Sequence, residues 1–225
     1  ITCENLRHIP WAAKKKVVRV YNGTNPILRV DSSPLDSDSA TQSGEPTFTL
    51  LYIGRLATVK TLDILVRAVA IAAEKLPGLR LWIVGDGITR APLEALAVEL
   101  GVTNHIRFWG LRLDTAAFFS AADALAMSSI SEGLPMSLLQ AMSVGLPAIT
   151  TDVGGMAEVL HLSHSGLLVP CGDPVAFAEA ILRLARDPAL CADFAGSAID
   201  VYKKNFTLEQ MDAAYMRLYR RQPPL

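Results

Sequence analysis

From Thr47 onward, short apolar runs that end in glycine or serine alternate with longer stretches in which apolar residues recur every three or four positions. FTLLYIG, LRLWIVGDG, HIRFWG, DALAMSS and PAITT, ending at Gly54, Gly87, Gly110, Ser129 and Thr151, read as strands. Helical patterns lie between them over residues 61–76, 91–100 and 114–120, in the stretch opened by Pro135, and as a single turn near Met156. After GLLVP, ending at Pro170, the pattern turns helical over 173–186, 189–203 and 208–221, with Pro188 and Asn205 marking the breaks. No connection is short enough for a hairpin, so the strands should be parallel and their crossovers right-handed. The expected fold is α/β: a Rossmann-like doubly wound parallel sheet with helices on both faces and a helical C-terminal extension.

Outside this repeat the pattern lapses. Residues 31–46, from Asp31 to Pro46, are rich in Ser, Asp and Pro with few apolar positions, and read as a flexible loop. Residues 1–30 hold one candidate strand, KKVVRVYNG over 15–23, and read as the tail of a preceding domain with its exit, leaving 47–225 as the main domain. The chain opens on Ile1 and reads as a piece of something longer. A hydrophobic share of 51% leaves ample material for a core. The 21 basic and 22 acidic residues nearly cancel, which removes the electrostatic footprint of a nucleic-acid binder. The local run Lys14, Lys15, Lys16 and Arg19 is expected to be a solvated face, with contact to a membrane surface or an acidic partner as the alternative. Cys3, Cys171 and Cys191 lack metal-type spacing, and an odd thiol points to a reducing compartment. Asn22-Gly-Thr24 and Asn205-Phe-Thr207 match the glycosylation pattern but are read as unused. No apolar run approaches the roughly 20 residues of a membrane span, and no signal peptide is visible.

In an open parallel sheet, ligands collect beyond the carboxyl ends of the strands. That edge receives Gly54, Arg55 and Lys60 after the first strand, then Gly85, Asp86 and Gly87, then Gly110 and Arg112. Ser128, Ser129, Glu132, Gly133 and Leu134 follow the fourth strand, and Asp152, Gly154 and Gly155 the fifth. Arg55 and Lys60 are two cations on one loop. Pro135, placed at the first helical position, leaves the Met136 and Ser137 amides free at a helix N-terminus. Both features suit a phosphate or diphosphate. Glu132 should be an exposed carboxylate, suited to accept from sugar hydroxyls. Ser137, Gln140 and Ser143 form a polar stripe on an otherwise apolar helix, which places Gln140 one turn below the phosphate end. Gly85-Asp86-Gly87 alone reads first as a tight turn, and Gly154-Gly155 equally as a sharp turn or a ligand approach. Trp82 and Trp109 are expected between sheet and helix. The histidines lack the spacing of a metal site, so no metal and no cofactor are expected. GRLATVK after the first strand lacks the Gly-x-Gly-x-x-Gly of a nicotinamide dinucleotide domain.

YIGRLATVK, LWIVGDG, IRFWG, SSISEGLPMSLLQAMSVGLPAITTDVGGMAEVL and SGLLVPCGDPVAFAEAI together resemble the carboxyl-terminal domain of retaining GT-B glycosyltransferases, in particular glycosyltransferase family 4, over about 17–219. VVRVYNGTN looks like the PNG segment by which those enzymes leave their amino-terminal domain. The resemblance implies a nucleoside diphosphate sugar as donor. Arg55, Lys60 and the Met136 and Ser137 amides would hold its diphosphate, Glu132 the hexose hydroxyls, and the loops near Gly87 and Arg112 the base. Arg55, Lys60 and Glu132 would carry catalysis without metal, with Gly54, Gly85, Asp86, Gly133 and Leu134 lining the donor. The family usually has a second glutamate where this chain has Gln140, which weakens ribose binding. A carbohydrate or lipid-linked acceptor would bind the missing amino-terminal domain, in polysaccharide or glycolipid assembly at the cytoplasmic face with peripheral membrane association of the full-length enzyme. The isolated fragment is expected to be inactive. A non-catalytic nucleotide-sugar-binding domain and a GT-B-type sugar nucleotide epimerase are the alternatives.

Overall fold

The computed structural model describes residues 18–30 and 47–220. The 31–46 loop, the lysine run and Cys3 lie outside the described residues. The strands are β1 Phe48–Ile53, β2 Leu79–Val84, β3 Ile106–Gly110, β4 Ala124–Met127, β5 Ala148–Thr151 and β6 Gly166–Val169. The helices are α1 Leu62–Ala73, α2 Arg90–Glu99, α3 Thr115–Ala121, α4 Met136–Ser143, α5 Gly154–Ser163, α6 Pro174–Arg186, α7 Pro188–Asn205 and α8 Leu208–Arg220. The six strands form one sheet in the order β3-β2-β1-β4-β5-β6, with every pairing parallel.

The period-2 alternation of each strand decides which helix layer it feeds. Leu50 and Tyr52 of β1 join Leu81 and Ile83 of β2 under α1, α2 and α6, where Leu65 and Val69 share a core with Phe177 and Ile181. Leu51 and Trp82 face the other way, into a second core with Phe118, Leu138, Leu139, Met156 and Tyr202 from α3, α4, α5 and α7. Two buried layers explain why the strands read as continuous apolar runs. Trp82 packs edge-on against Trp109 and Phe118, between sheet and helix as expected.

Two expectations are corrected. The turn near Met156 is a helix of 10 residues, since Met156, Val159, Leu160 and Ser163 bury one face of it. The described part of the 15–23 strand forms none, because it meets helix ends rather than a sheet edge. Residues 18–30 instead cross α4 and α7. Thr24 makes an isolated bridge with Thr207, Tyr202 Oη donates to Thr24 O at 2.6 Å, and Ile27 N donates to Ser143 Oγ at 3.0 Å.

Along the sheet, β2 and β3 lie to one side of β1 while β5 and β6 lie to the other side of β4. The chain leaves β1 and β4 in opposite directions, and their carboxyl-end loops part to leave a crevice at the topological switch point.

Candidate functional site

The β1–α1 and β4–α4 loops form the two walls of that crevice. After β1 the chain runs through Gly54 and Arg55, buries Leu56, makes one 3-10 turn over Thr58–Lys60, and enters α1 from Thr61. The second wall rises from buried Ser128 and Ser129 to Glu132 and Gly133 and ends at the start of α4. Ile130 N donates to Val59 O at 3.0 Å, joining the walls through their backbones. Thr61 Oγ1 donates to Ser128 O. Ser128 Oγ returns a bond to Lys60 O at 2.9 Å and to Thr61 O at 3.0 Å.

The ion pair at the centre of the crevice corrects one expectation. Glu132, expected to be exposed and unpaired, has a side chain only 11% exposed and pairs with Lys60, itself 19% exposed. Ser129 Oγ donates to the same Oε1 at 2.9 Å. The physical reason is plain: a carboxylate withdrawn this far from water must find donors, and the facing loop supplies a cation within reach. Lys60, assigned to the diphosphate, and Glu132, assigned to the hexose, are thus direct neighbours. Oε2 of Glu132 accepts no hydrogen bond among the described residues.

Arg55 is exposed and has no ion-pair partner among the described residues. Beneath it, buried Tyr52 donates through its hydroxyl to Arg55 O at 2.9 Å. The phenol is held well above the ordinary tyrosine range, first by burial and then by the Glu132 carboxylate, with Arg55 acting the other way. Across the crevice, Pro135 stands one position earlier than expected, as N-cap with extended backbone. Leu138 N is taken by Pro135 O at 3.2 Å, so Met136 and Ser137 remain the α4 amides without helical partners.

Gln140 is half-buried, and its side-chain amide has no hydrogen bond among the described residues. The polar stripe divides around it. Ser143 is engaged by Ile27 N and by its own bond to Gln140 O at 2.7 Å, whereas Ser137 Oγ lies 3.9 Å from Met127 Sδ.

The glycines serve the loops themselves. A Cβ on Gly85 would stand 1.9 Å from Gly54 O, and one on Gly154 would stand 2.0 Å from Glu132 O. Neighbouring loops therefore touch backbone to backbone: β1 with β2 through Gly85, β4 with β5 through Gly154. Asp86 O accepts from Leu56 N at 2.9 Å, and its carboxylate caps Gly87 N at 2.7 Å, so the Gly-Asp-Gly turn braces the β1 loop. Arg112 is not a free cation. It grips Asp114 through two bonds of 2.8 and 2.5 Å and lies over the Trp109 and Phe118 rings.

Gly133 and Leu134 also border an open cleft of about 260 Å³, closed on its other sides by residues 18–22 and by Gly155, Glu158 and Val159. Tyr21 Oη donates to Glu158 Oε1 at 2.5 Å, and Arg19 pairs with the same carboxylate. Among the described residues no three His, Cys, Asp or Glu side chains come together as a metal site. No helix among them is long and apolar enough to cross a membrane.

Sequence reasoning missed Tyr52 and Thr61. The first left a signal, since alternation buries Tyr52 and a buried hydroxyl requires an acceptor. The left-handed backbone of Thr61 left none.

Residues 47–187 match the family described as Glycosyl transferases group 1. The lipopolysaccharide core biosynthesis glycosyltransferase LpsE of Rhizobium meliloti is 31% identical over 220 residues, which are 98% of this chain and 62% of LpsE. This chain therefore spans about three fifths of that relative. HepE of Anabaena, solved with UDP, superposes with a TM-score of 0.80 at 23% identity, over 90% of this chain and 57% of HepE. The C-terminal domain of the group 1 glycosyl transferase LpcC of Francisella tularensis aligns with a TM-score of 0.65 at 22% identity, over 72% of this chain and 88% of that domain. The parallel sheet, its switch-point crevice and the match across 47–187 lead to one assignment: the chain belongs to the group 1 glycosyl transferases, with the Rossmann-like fold of one half of a GT-B enzyme.

Proposed function

We propose that this chain is the donor-binding half of a retaining, family-4-like glycosyltransferase that takes a nucleoside diphosphate sugar. The observation that carries the reading is the convergence, at one switch point, of Arg55, Lys60, the free α4 amides and Glu132. Arg55 and the Met136 and Ser137 amides present positive charge to a diphosphate, and Lys60 stands between that diphosphate and the hexose carboxylate. Glu132 keeps one oxygen for sugar hydroxyls. Gln140, one turn into α4, meets the ribose. As the bond from sugar to diphosphate breaks, charge grows on the leaving oxygen, and fixed cations and amides stabilise it without reorganising. That leaving diphosphate takes the proton of the acceptor hydroxyl on the same face, which retains configuration.

UDP is the donor nucleotide of first choice, because HepE was solved with it. A role in polysaccharide or glycolipid assembly is supported by the name of LpsE, and a cytoplasmic place with peripheral attachment to the inner membrane face belongs to the same proposal. Gln140 also favours a second reading, a nucleotide-sugar-binding domain without turnover, because an amide replaces a second carboxylate.

Titration of UDP into the chain, with and without a chelator, tests the proposal. Binding should be unchanged by chelation. Charged hydrogen bonds contribute roughly 1.5–3 kcal/mol, so Arg55→Ala and Lys60→Ala should each weaken UDP on the order of tenfold or more. Uridine, which lacks the phosphates, should be indifferent to both. Strict dependence on magnesium, or wild-type affinity in both variants, would overturn the site.

A further inference from the structure

Thr61 stands at φ +41° and ψ 48°, in the left-handed region. One other non-glycine residue among those described shares it, His164, which closes helix α5 with its N–H on Leu160 O. Thr61 is the more unusual of the two, because a β-branched side chain rarely tolerates this backbone and nothing forces a threonine on the end of a 3-10 turn. Backbone held in such a region persists only where its surroundings over-determine it. Here the Thr61 N–H is held by Thr58 O within its own turn, and the side chain by one residue on the facing wall. Thr61 Oγ1 donates to Ser128 O, while the fully buried Ser128 Oγ shares its proton between Lys60 O and Thr61 O. The three bonds form a two-way clasp between the start of α1 and the end of β4, two of them at Thr61 and one on the carbonyl of Lys60 next to it.

We propose that Thr61 and Ser128 are positioning residues for the donor site, holding Lys60 at the height where its ammonium meets Glu132 on one side and a diphosphate on the other. The inference rests on the reading of Lys60 as a diphosphate ligand. Lys60 has a long, flexible stem, so its carbonyl must be pinned for its ammonium to be found repeatedly in one place. A glycine at 61 would adopt the same backbone without strain, yet the chain carries a threonine, whose hydroxyl alone reaches Ser128 O.

The test uses the 225-residue chain, with UDP and uridine as probes in calorimetry and thermal unfolding recorded for every variant. Thr61→Gly keeps the backbone available and removes the hydroxyl. It should lower UDP affinity between about twofold and tenfold, the span of one neutral hydrogen bond, and leave uridine affinity alone. Thr61→Ser restores the hydroxyl and should recover UDP binding, and Ser128→Ala, which removes the other two bonds of the clasp, should also weaken UDP and leave uridine alone. In a Lys60→Ala background, Thr61→Gly should cost UDP nothing further, because the residue acts through the lysine. Wild-type UDP affinity in Thr61→Gly, an equal loss for uridine, or a full additional loss in the double variant would each overturn the inference while leaving the donor site standing. If Lys60→Ala itself binds UDP as wild type does, the donor-site reading of Lys60 fails first and the clasp loses its role with it.

Discussion

Tyr52 places a hydroxyl where a phenylalanine would fill the same core, and its bond to Arg55 O is the return for that burial. Its folded pKa lies above that of an unfolded tyrosine, so the native chain keeps a proton that the unfolded chain has already released. The associated stability is whole below about pH 10 and declines as pH rises beyond it. Tyr52→Phe should flatten the alkaline limb of the urea midpoint plotted against pH, and superimposable limbs would show that Tyr52 ionises without penalty. Gln140 offers a second test at this scale. If its amide meets the ribose, Gln140→Ala should lose about 1 kcal/mol of UDP affinity. Gln140→Glu should gain less than about tenfold, limited by repulsion from the diphosphate. All three proteins should converge on a 2′,3′-dideoxy analogue; equal spreads for both nucleotides would make Gln140 a packing residue. That Arg55, Lys60, Glu132 and Gln140 belong to the loops and helix at one edge of the sheet is legible in the sequence. The pairing of Lys60 with Glu132 is not, because 72 residues separate them and only the parting of the crossovers brings them face to face.

Helix α6 shows why element boundaries are readable where side chains cap the backbone. Asp173 Oδ1 accepts from Val175 N and Ala176 N, each at 2.9 Å, and Pro174 follows at the first helical position. Asp173→Ala should destabilise the chain by about 1 kcal/mol, seen as a lower urea midpoint at unchanged slope. A matching midpoint would mean that packing of Phe177 and Ile181 alone fixes the start of the helix. Helix α4 has no such side-chain cap, and its proline falls one position outside the helix rather than inside it. Residues 18–23 mislead for a different reason. Their β-branched and aromatic content is suited to a strand, but a strand also requires an unoccupied sheet edge beside it, and that information lies elsewhere in the chain. Five of the six strands are legible because each supplies both cores, as Leu50, Leu51 and Tyr52 do in turn, whereas β6, only four residues long, does not read as a strand.

At the scale of the whole molecule, the proposal separates holding a donor from using it. Orientation of the two reactants supplies a large part of the barrier reduction in a bimolecular transfer. The chain incubated with UDP-glucose and a panel of sugar and lipid-linked acceptors should therefore yield no glycoside, although UDP binds; efficient transfer by the chain alone would overturn the half-enzyme reading. The loop contacts at Gly85 and Gly154 bear on how such a domain can diversify. Any side chain at either position collides with a neighbouring carbonyl oxygen, so these sites cannot be sampled by drift without dislodging the loop next door. If the crevice holds the donor, innovation in donor choice is channelled to side chains beside it, such as exposed Ser131 and half-buried Leu134 and Gln140. A mutational library that leaves the two glycines untouched and randomises those three should yield folded variants with altered nucleotide preference, while one that randomises the glycines should yield mostly aggregates.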